Sequence, residues 1–156
     1  MVYLTIPRTY DCVSHLTPHE GTRTNPYLIT ADAVRYLPFL LPYPGNGFHR
    51  AAQYLLNKAN ITPLRTVCYR NMETAYQLSA AGVGALFATP SVFESKYPEC
   101  SRSLAICTLE KQALVRTCVA GYRDDNKKIN YIHDLIAITK ESIPSEVPPA
   151  SKTTDF

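Results

Sequence analysis

The stretch from Asn71 to Pro90 limits what this chain can fold into more than any other. Asn71 is a good helix N-cap, Glu73 puts a negative charge in the first turn at the positive end of the helix dipole, and Gly82 supplies a C-terminal stop. The spacing predicts a short, well-bounded helix. Gly84 to Thr89 is then a compact apolar run ended by Pro90, the pattern of a strand buried on both faces. With the apolar run Leu64 to Tyr69 in front of it, the order is strand, helix, strand, which implies a right-handed parallel crossover.

A second such unit precedes it. Thr30 is placed to cap a short helix through Leu37, and Phe39 to Leu41 read as a brief buried strand. After the turn Pro42-Tyr43-Pro44-Gly45-Asn46-Gly47, the residues Phe48, Ala51, Ala52, Leu55, Leu56 and Ala59 fall on one apolar face of a helix. Val2 to Pro7 reads as an opening strand, and Arg8 to Tyr27 as a polar, Thr-rich loop or surface excursion. Pro90 to Tyr97 has room for one helical turn or two. Leu104 to Leu109 and Val115 to Tyr122 are strand-like, Asp124 to Asn126 is a turn, and Ile129, Ile132, Leu135 and Ile136 mark a last amphipathic helix before Pro144. The segment 144–156 has little to bury and reads as a disordered tail.

At 156 residues the chain can bury one sizeable core. A net charge of +3 with scattered basic residues gives no electrostatic footprint for nucleic acid. No apolar run approaches the ~18 residues of a membrane span, and no signal peptide is visible, so a cytoplasmic setting is the expectation. The five cysteines are odd in number and form no tight pair, so free thiols are expected. Cys68, Cys107 and Cys118 lie in strand-like runs, where a thiol behaves as a small buried hydrophobe.

Residues 71–90 resemble a segment of the effector-binding domain of LysR-type transcriptional regulators, in which an "N-x-E-T-A" helix is followed by "A-A-G-x-G" and an apolar strand ending in Pro. The resemblance extends to Val2-Tyr3-Leu4-Thr5-Ile6-Pro7, to Leu37–Leu41 with Pro44–Phe48, and to 117–141. Where that family carries His-Pro-Leu after its first strand, this chain has Tyr10 to Leu16, which leaves the path of residues 8–30 open. The resemblance implies an α/β, three-layer, periplasmic-binding-protein-like (type 2) subdomain with a mostly parallel mixed sheet flanked by helices. It would occupy 2–143 as a partial effector domain, without the winged helix-turn-helix or the first part of that domain. The last helix would then expose its apolar face and favour a homodimer.

Ligands of open parallel sheets bind beyond the carboxyl ends of strands, where helix N-termini offer free amides. Two such places are legible: Tyr43, Pro44, Gly45, Asn46, Gly47 and Phe48, and Asn71, Met72 and Thr74, with Thr89 at the rim. Taken alone, the glycines are better explained by a tight turn and Asn71 by a cap. The resemblance reverses that balance, because LysR-type effector domains bind small molecules, often organic acids or amino-acid-like metabolites, in a cleft that such loops line. Glu73 would repel an anion unless it points away.

Other chemistry finds little support. Cys12, His15 and His19 are too few, and broken by Pro18, to argue for a metal. His49 and His133 read as solvated or capping residues. There is no G-x-S-x-G, Walker or H-E-x-x-H motif, so neither an enzyme nor a cofactor is expected. The competing readings are a lobe of a solute-binding protein, a small enzyme with an anion site at Gly45–Phe48, and a purely structural dimerisation module.

Overall fold

The computed structural model describes residues 2–45, 47–109 and 130–142, and the chain divides into two units, Met1–Arg116 and Thr117–Phe156. The first unit contains β1 (Tyr3–Pro7), β2 (Tyr27–Ile29), α1 (Ala31–Val34), β3 (Phe39–Pro42), α2 (Gly47–Lys58), β4 (Thr66–Tyr69), α3 (Met72–Ala80), β5 (Ala85–Ala88), a 3₁₀ turn (Pro90–Val92), α4 (Pro98–Arg102) and β6 (Leu104–Leu109). The second contains α5 (Asn130–Ser142).

The six strands form one mixed sheet in the order β2-β6-β1-β5-β3-β4. β1 runs antiparallel to β5 and β6, whereas β3 is parallel to β4 and β5, and β2 to β6. Alternation along the buried strands sends side chains to two faces. Phe39, Leu41, Ala85 and Phe87 pack with α1 and α2, while Leu40, Leu86 and Ala88 pack with Ala75 and Tyr76 of α3 and with Phe93. Helices thus cover both faces, giving the three layers. The run Ala85–Ala88 is buried throughout because its strand is central and covered on both sides.

Local signals explain most element ends. Asn71 Oδ1 accepts from the backbone N–H of Glu73 (2.8 Å) and of Thr74 (3.4 Å), a cap worth about 1 kcal/mol. Thr30 Oγ1 accepts from Ala33 at 3.4 Å, but α1 is only four residues long and stops at Val34, short of Leu37. Gly82, at φ +86, ends the chain's exit from α3 in a conformation that a side chain disfavours.

Three expectations need correction. The strand read from Leu64 starts at Thr66, and Thr66, Val67 and Cys68 are exposed, because among the described residues β4 is the sheet's edge and has a neighbour on one side only. Cys68 is therefore an exposed thiol and not a buried one. Between Arg8 and Tyr27 the chain is turn-rich as expected, but Tyr27–Ile29 ends it by joining β6 as the other edge strand. α4 had no amphipathic signal of its own; with five residues it is too short for one. The reading of Val115–Tyr122, of Cys118, of the 124–126 turn and of the 144–156 tail falls outside the described residues.

Cys107 conforms to expectation. It is fully buried, and burial pushes its thiol up to about 12 from an ordinary value of 9.0. The native state therefore keeps a proton that the unfolded chain releases above pH 9. Its contribution to stability is intact below that value and falls as pH rises from 9 towards 12, at up to about 1.4 kcal/mol per pH unit. Buried Tyr69 and Tyr76, whose hydroxyls are also raised by burial, act in the same direction. Urea midpoints between pH 8 and about 10.5 are expected to decline, and Cys107→Ala to decline less steeply. Parallel slopes for the two proteins would refute this assignment.

α5 is described by itself. Tyr131, Leu135 and Ile138 lie along one stripe of it, 59–68% exposed, while Ile132 and Ile136 are half-buried. Thr139 Oγ1 donates to Leu135 O at 2.7 Å.

Candidate functional site

Parallel pairing places the carboxyl ends of β3, β4 and β5 side by side, because Pro42 is in register with Tyr69 and β5 follows β3 from Phe39↔Ala85 onward. A helical segment starts just beyond each end: α2 after Pro42, α3 after Tyr69 and the 3₁₀ turn after Ala88. Two of the three starts therefore belong to helices long enough to carry an appreciable dipole, and at α3 the Glu73 and Thr74 amides are taken by the Asn71 cap.

The backbone ties the first two loops together. Tyr43 N–H donates to Tyr69 O at 3.0 Å, continuing the ladder by one residue beyond β3. A ring nitrogen of His49, in the first turn of α2, donates to Pro42 O at 2.8 Å, so this half-buried histidine braces the loop and is not simply solvated. Gly45 takes φ +103, open to glycine alone at little cost, and lets the chain turn from β3 into α2.

Tyr43, Pro44, Gly45, Tyr69 and Arg70 line a shallow depression of about 470 Å³. Arg70 stacks its guanidinium over the Tyr43 ring at 5.2 Å from the centroid. Arg70 is exposed and has no carboxylate partner among the described residues, so it supplies an available positive charge at this end of the sheet. Glu73 does not oppose it, since its carboxylate is paired with Lys96 at 3.0 Å.

Of the residues singled out in the sequence, Tyr43, Pro44 and Gly45 line the depression, and Asn46 lies outside the described residues. Gly47 and Phe48 begin α2 behind it. Asn71 spends its side-chain oxygen on the α3 cap, Met72 accepts from the Tyr69 hydroxyl at 3.5 Å, and Thr74 is exposed one turn along. Thr89 stands before the 3₁₀ turn and makes no side-chain cap there. These four are at the same end of the sheet but do not line the depression. Arg70 and Tyr69 were missed. The available signal was the position of Arg70 directly before a capping Asn, which puts it at a strand's carboxyl end.

A larger concavity, about 570 Å³, lies beside the opposite ends of β1 and β6, lined by Leu16, Pro18, Leu104 and Ile106 among others. Its size does not make it the better candidate. Arg8 is consumed by the carbonyls of Thr17, Glu20 and Gly21, and Arg102 by Glu99 at 2.8 Å, so the wall's charges are already satisfied. Cys12, His15 and His19 do not form a ligand set: His15 packs edge-on against Tyr27 at 5.6 Å, and no cluster of three metal-ligating side chains stands among the described residues. No helix among the described residues is long and apolar enough to cross a membrane.

The chain's architecture matches solved regulatory domains. With the CcmR regulatory domain of Synechocystis PCC6803, solved in complex with 2-PG, the TM-score is 0.61 at 15% identity, over 90% of this chain and 64% of that one. With the regulatory domain of MetR, a LysR family regulator from N. meningitidis, it is 0.58 at 13% identity, over 90% and 58%. The fold is that of a LysR-type effector-binding domain. The BenM effector-binding domain, solved with its effector benzoate, agrees at a TM-score of 0.52 and 13% identity, over 96% of this chain and 65% of that one. The chain thus spans less than two thirds of the length of these LysR-type folds. No protein-family model matches the sequence, and no curated protein does.

Proposed function

We propose that this chain is a small-molecule effector-sensing and oligomerisation module of a LysR-type transcriptional regulator, acting in the cytoplasm, without enzymatic activity and without direct contact to nucleic acid. The observation that carries the reading is the convergence of Arg70, the Tyr43 ring and the starts of α2 and α3 at one end of a LysR-type sheet. The Arg70 guanidinium, with the positive dipole ends of α2 and α3 beside it, suits a carboxylate, and the adjacent aromatic ring suits the apolar body of an organic acid or amino-acid-like metabolite. Tyr43, Pro44 and Gly45 would form the wall that meets it, with Gly47, Phe48, Asn71, Met72, Thr74 and Thr89 around it at the same end of the sheet. The exposed stripe Tyr131, Leu135 and Ile138 of α5 supports a homodimer, because an apolar stripe of this kind is normally covered.

Thermal unfolding across a panel of small carboxylates, amino acids and sugar phosphates tests this. A matching ligand at 100 times its Kd is expected to add about 2.7 kcal/mol of stability, and Arg70→Ala to remove most of that gain while leaving the unliganded melting temperature nearly unchanged. If no panel member raises the melting temperature, or if Arg70→Ala responds like the parent, the sensing role fails. A solute-binding lobe remains the alternative; the absence of a preference among carboxylates combined with tight binding of a neutral sugar would favour it.

A further inference from the structure

The concavity of about 570 Å³ beside the ends of β1 and β6 has two braced walls. One is the loop that follows β1. The Arg8 guanidinium donates to Glu20 O at 2.7 Å and to Thr17 O at 3.3 Å, and Ile106 N–H donates to Gly21 O at 2.7 Å, which fixes this loop against β6. Gly21 has φ +61, and a Cβ there would stand 3.1 Å from Ala105 Cβ and 3.2 Å from Leu16 Cδ1, so the close approach depends on glycine. The other wall is α4, where Ser101 Oγ meets the Tyr76 hydroxyl at 3.0 Å and donates to Tyr97 O at 3.1 Å. Arg23 Nε donates to Glu94 Oε2 at 3.0 Å and ties the loop to the segment before α4.

Between these walls much of the lining is apolar: Leu16 and Pro18 from the loop, Pro98 from α4, and Leu104 and Ile106, which alternation along β6 puts on one face. The polar side chains that share the lining are already engaged. Glu94 is paired with Arg23, Arg102 with Glu99 at 2.8 Å, and Arg8 with the loop's carbonyls, while Thr22 Oγ1 accepts from Asn25 N–H at 3.1 Å. A charged ligand would lose hydration here without gaining a counter-ion unless it broke one of these pairs. The Arg102–Glu99 pair is exposed on both sides, so exchanging Glu99 for a ligand carboxylate would gain little. Water, too, finds few free partners on such walls.

We propose that this concavity is a second binding site, which takes a neutral, mostly apolar small molecule. It lies at the other end of the sheet from the Arg70 depression and does not rest on what binds there. Its volume falls within the ~300–1,000 Å³ typical of small-molecule pockets. The ligand's hydrocarbon part would cover the floor at Ile106 and touch Pro18 on one wall and Pro98 on the other. It would thereby join the loop to α4 alongside the Arg23–Glu94 pair. A protein surface is the poorer fit, since Leu104 and Ile106 are buried at the floor while charged side chains stand at the rim.

1-Hexanol is the probe, read through the methyl resonances of Leu16, Leu104 and Ile106 in the methyl-labelled full chain, with hexanoate and hexylammonium as matched ions. Hexanol is expected to shift those methyls saturably and to leave Leu55 and Leu56, in the core under α2, in place. The two ions are expected to bind at least about tenfold more weakly. Leu16→Trp, which fills part of the space, is expected to weaken hexanol at least about tenfold, and Arg102→Ala and Arg70→Ala to leave its affinity unchanged. The proposal is overturned if the shifts do not saturate below hexanol's solubility limit, if Leu55 and Leu56 move in step, or if either ion binds as tightly. It is equally overturned if the same methyls shift with protein concentration alone, which would mark a contact between copies, or if folded Leu16→Trp binds hexanol like the parent. The parent titration decides by itself if Leu16→Trp does not fold.

Discussion

Replacing Phe39 by alanine is expected to remove about 3–5 kcal/mol of folding stability, a large fraction of the ~5–15 kcal/mol that a domain of this size has. Phe39 is completely buried on β3, the strand between β5 and β4, and its ring stacks against that of Phe87 with centroids 6.1 Å apart. Around the pair lie Leu55, Leu56 and other residues of the core that joins α2 to the sheet. A truncated side chain there leaves a cavity that β3 cannot collapse into, because its backbone is bonded to both neighbouring strands. Equilibrium urea unfolding of the parent and of Phe39→Ala would measure the loss. A difference under about 1.5 kcal/mol would show that α2 repacks freely and that the core is looser than its burial implies.

Gly84→Ala is the second change with a large expected effect, and its mechanism is different. A Cβ on Gly84 would stand 2.8 Å from Pro38 O and 3.2 Å from Pro38 C, both backbone atoms that cannot swing aside. The same Pro38 carbonyl accepts from Ala85 N–H at 2.8 Å, and Gly84 O accepts from the buried Ser79 hydroxyl at 2.8 Å. Pushing β5 away from β3 therefore strains the first bond of their pairing along with a buried side-chain bond. A loss of about 1–3 kcal/mol or more is expected from the overpacking. Amide exchange should show Ala85 and Leu86 opening first. Gly82→Ala is the informative companion: nothing stands within 4 Å of that position, so its cost comes from φ +86 alone and should leave the β3–β5 pairing protected. Equal exchange patterns for the two variants would refute the distinction.

These glycines also mark where reading the sequence succeeds and where it stops. Gly82 is legible as a helix terminator because the requirement is local, a positive φ directly after an amphipathic turn. The role of Gly84 is not, because the atom it must avoid belongs to Pro38, the residue before β3 and distant in the sequence. The same division runs through the thiols. Cys107 and Cys68 sit in apolar runs of similar character, yet one is buried on β6, a strand with neighbours on both sides, and the other is exposed on an edge. Strand order is set by long-range pairing, which the sequence within a strand does not record.

For the candidate site, the loops after β3 and β4 were legible from Pro44, Gly45 and the Asn71 cap, since turns and caps follow from residue types over a few positions. Arg70 on the face of Tyr43 was not. That contact exists because parallel pairing puts Pro42 beside Tyr69, bringing together two loops separated by a whole helix in the chain. The sequence by itself determined α2, α3 and the strands β1, β3, β5 and β6, since capping, periodicity and steric limits act within a few residues, whereas β2 and α4 are too short to leave such a signal. Only the tertiary structure decided which strand became an edge and which arginine met an aromatic ring, because those outcomes depend on the order in which the strands hydrogen-bond.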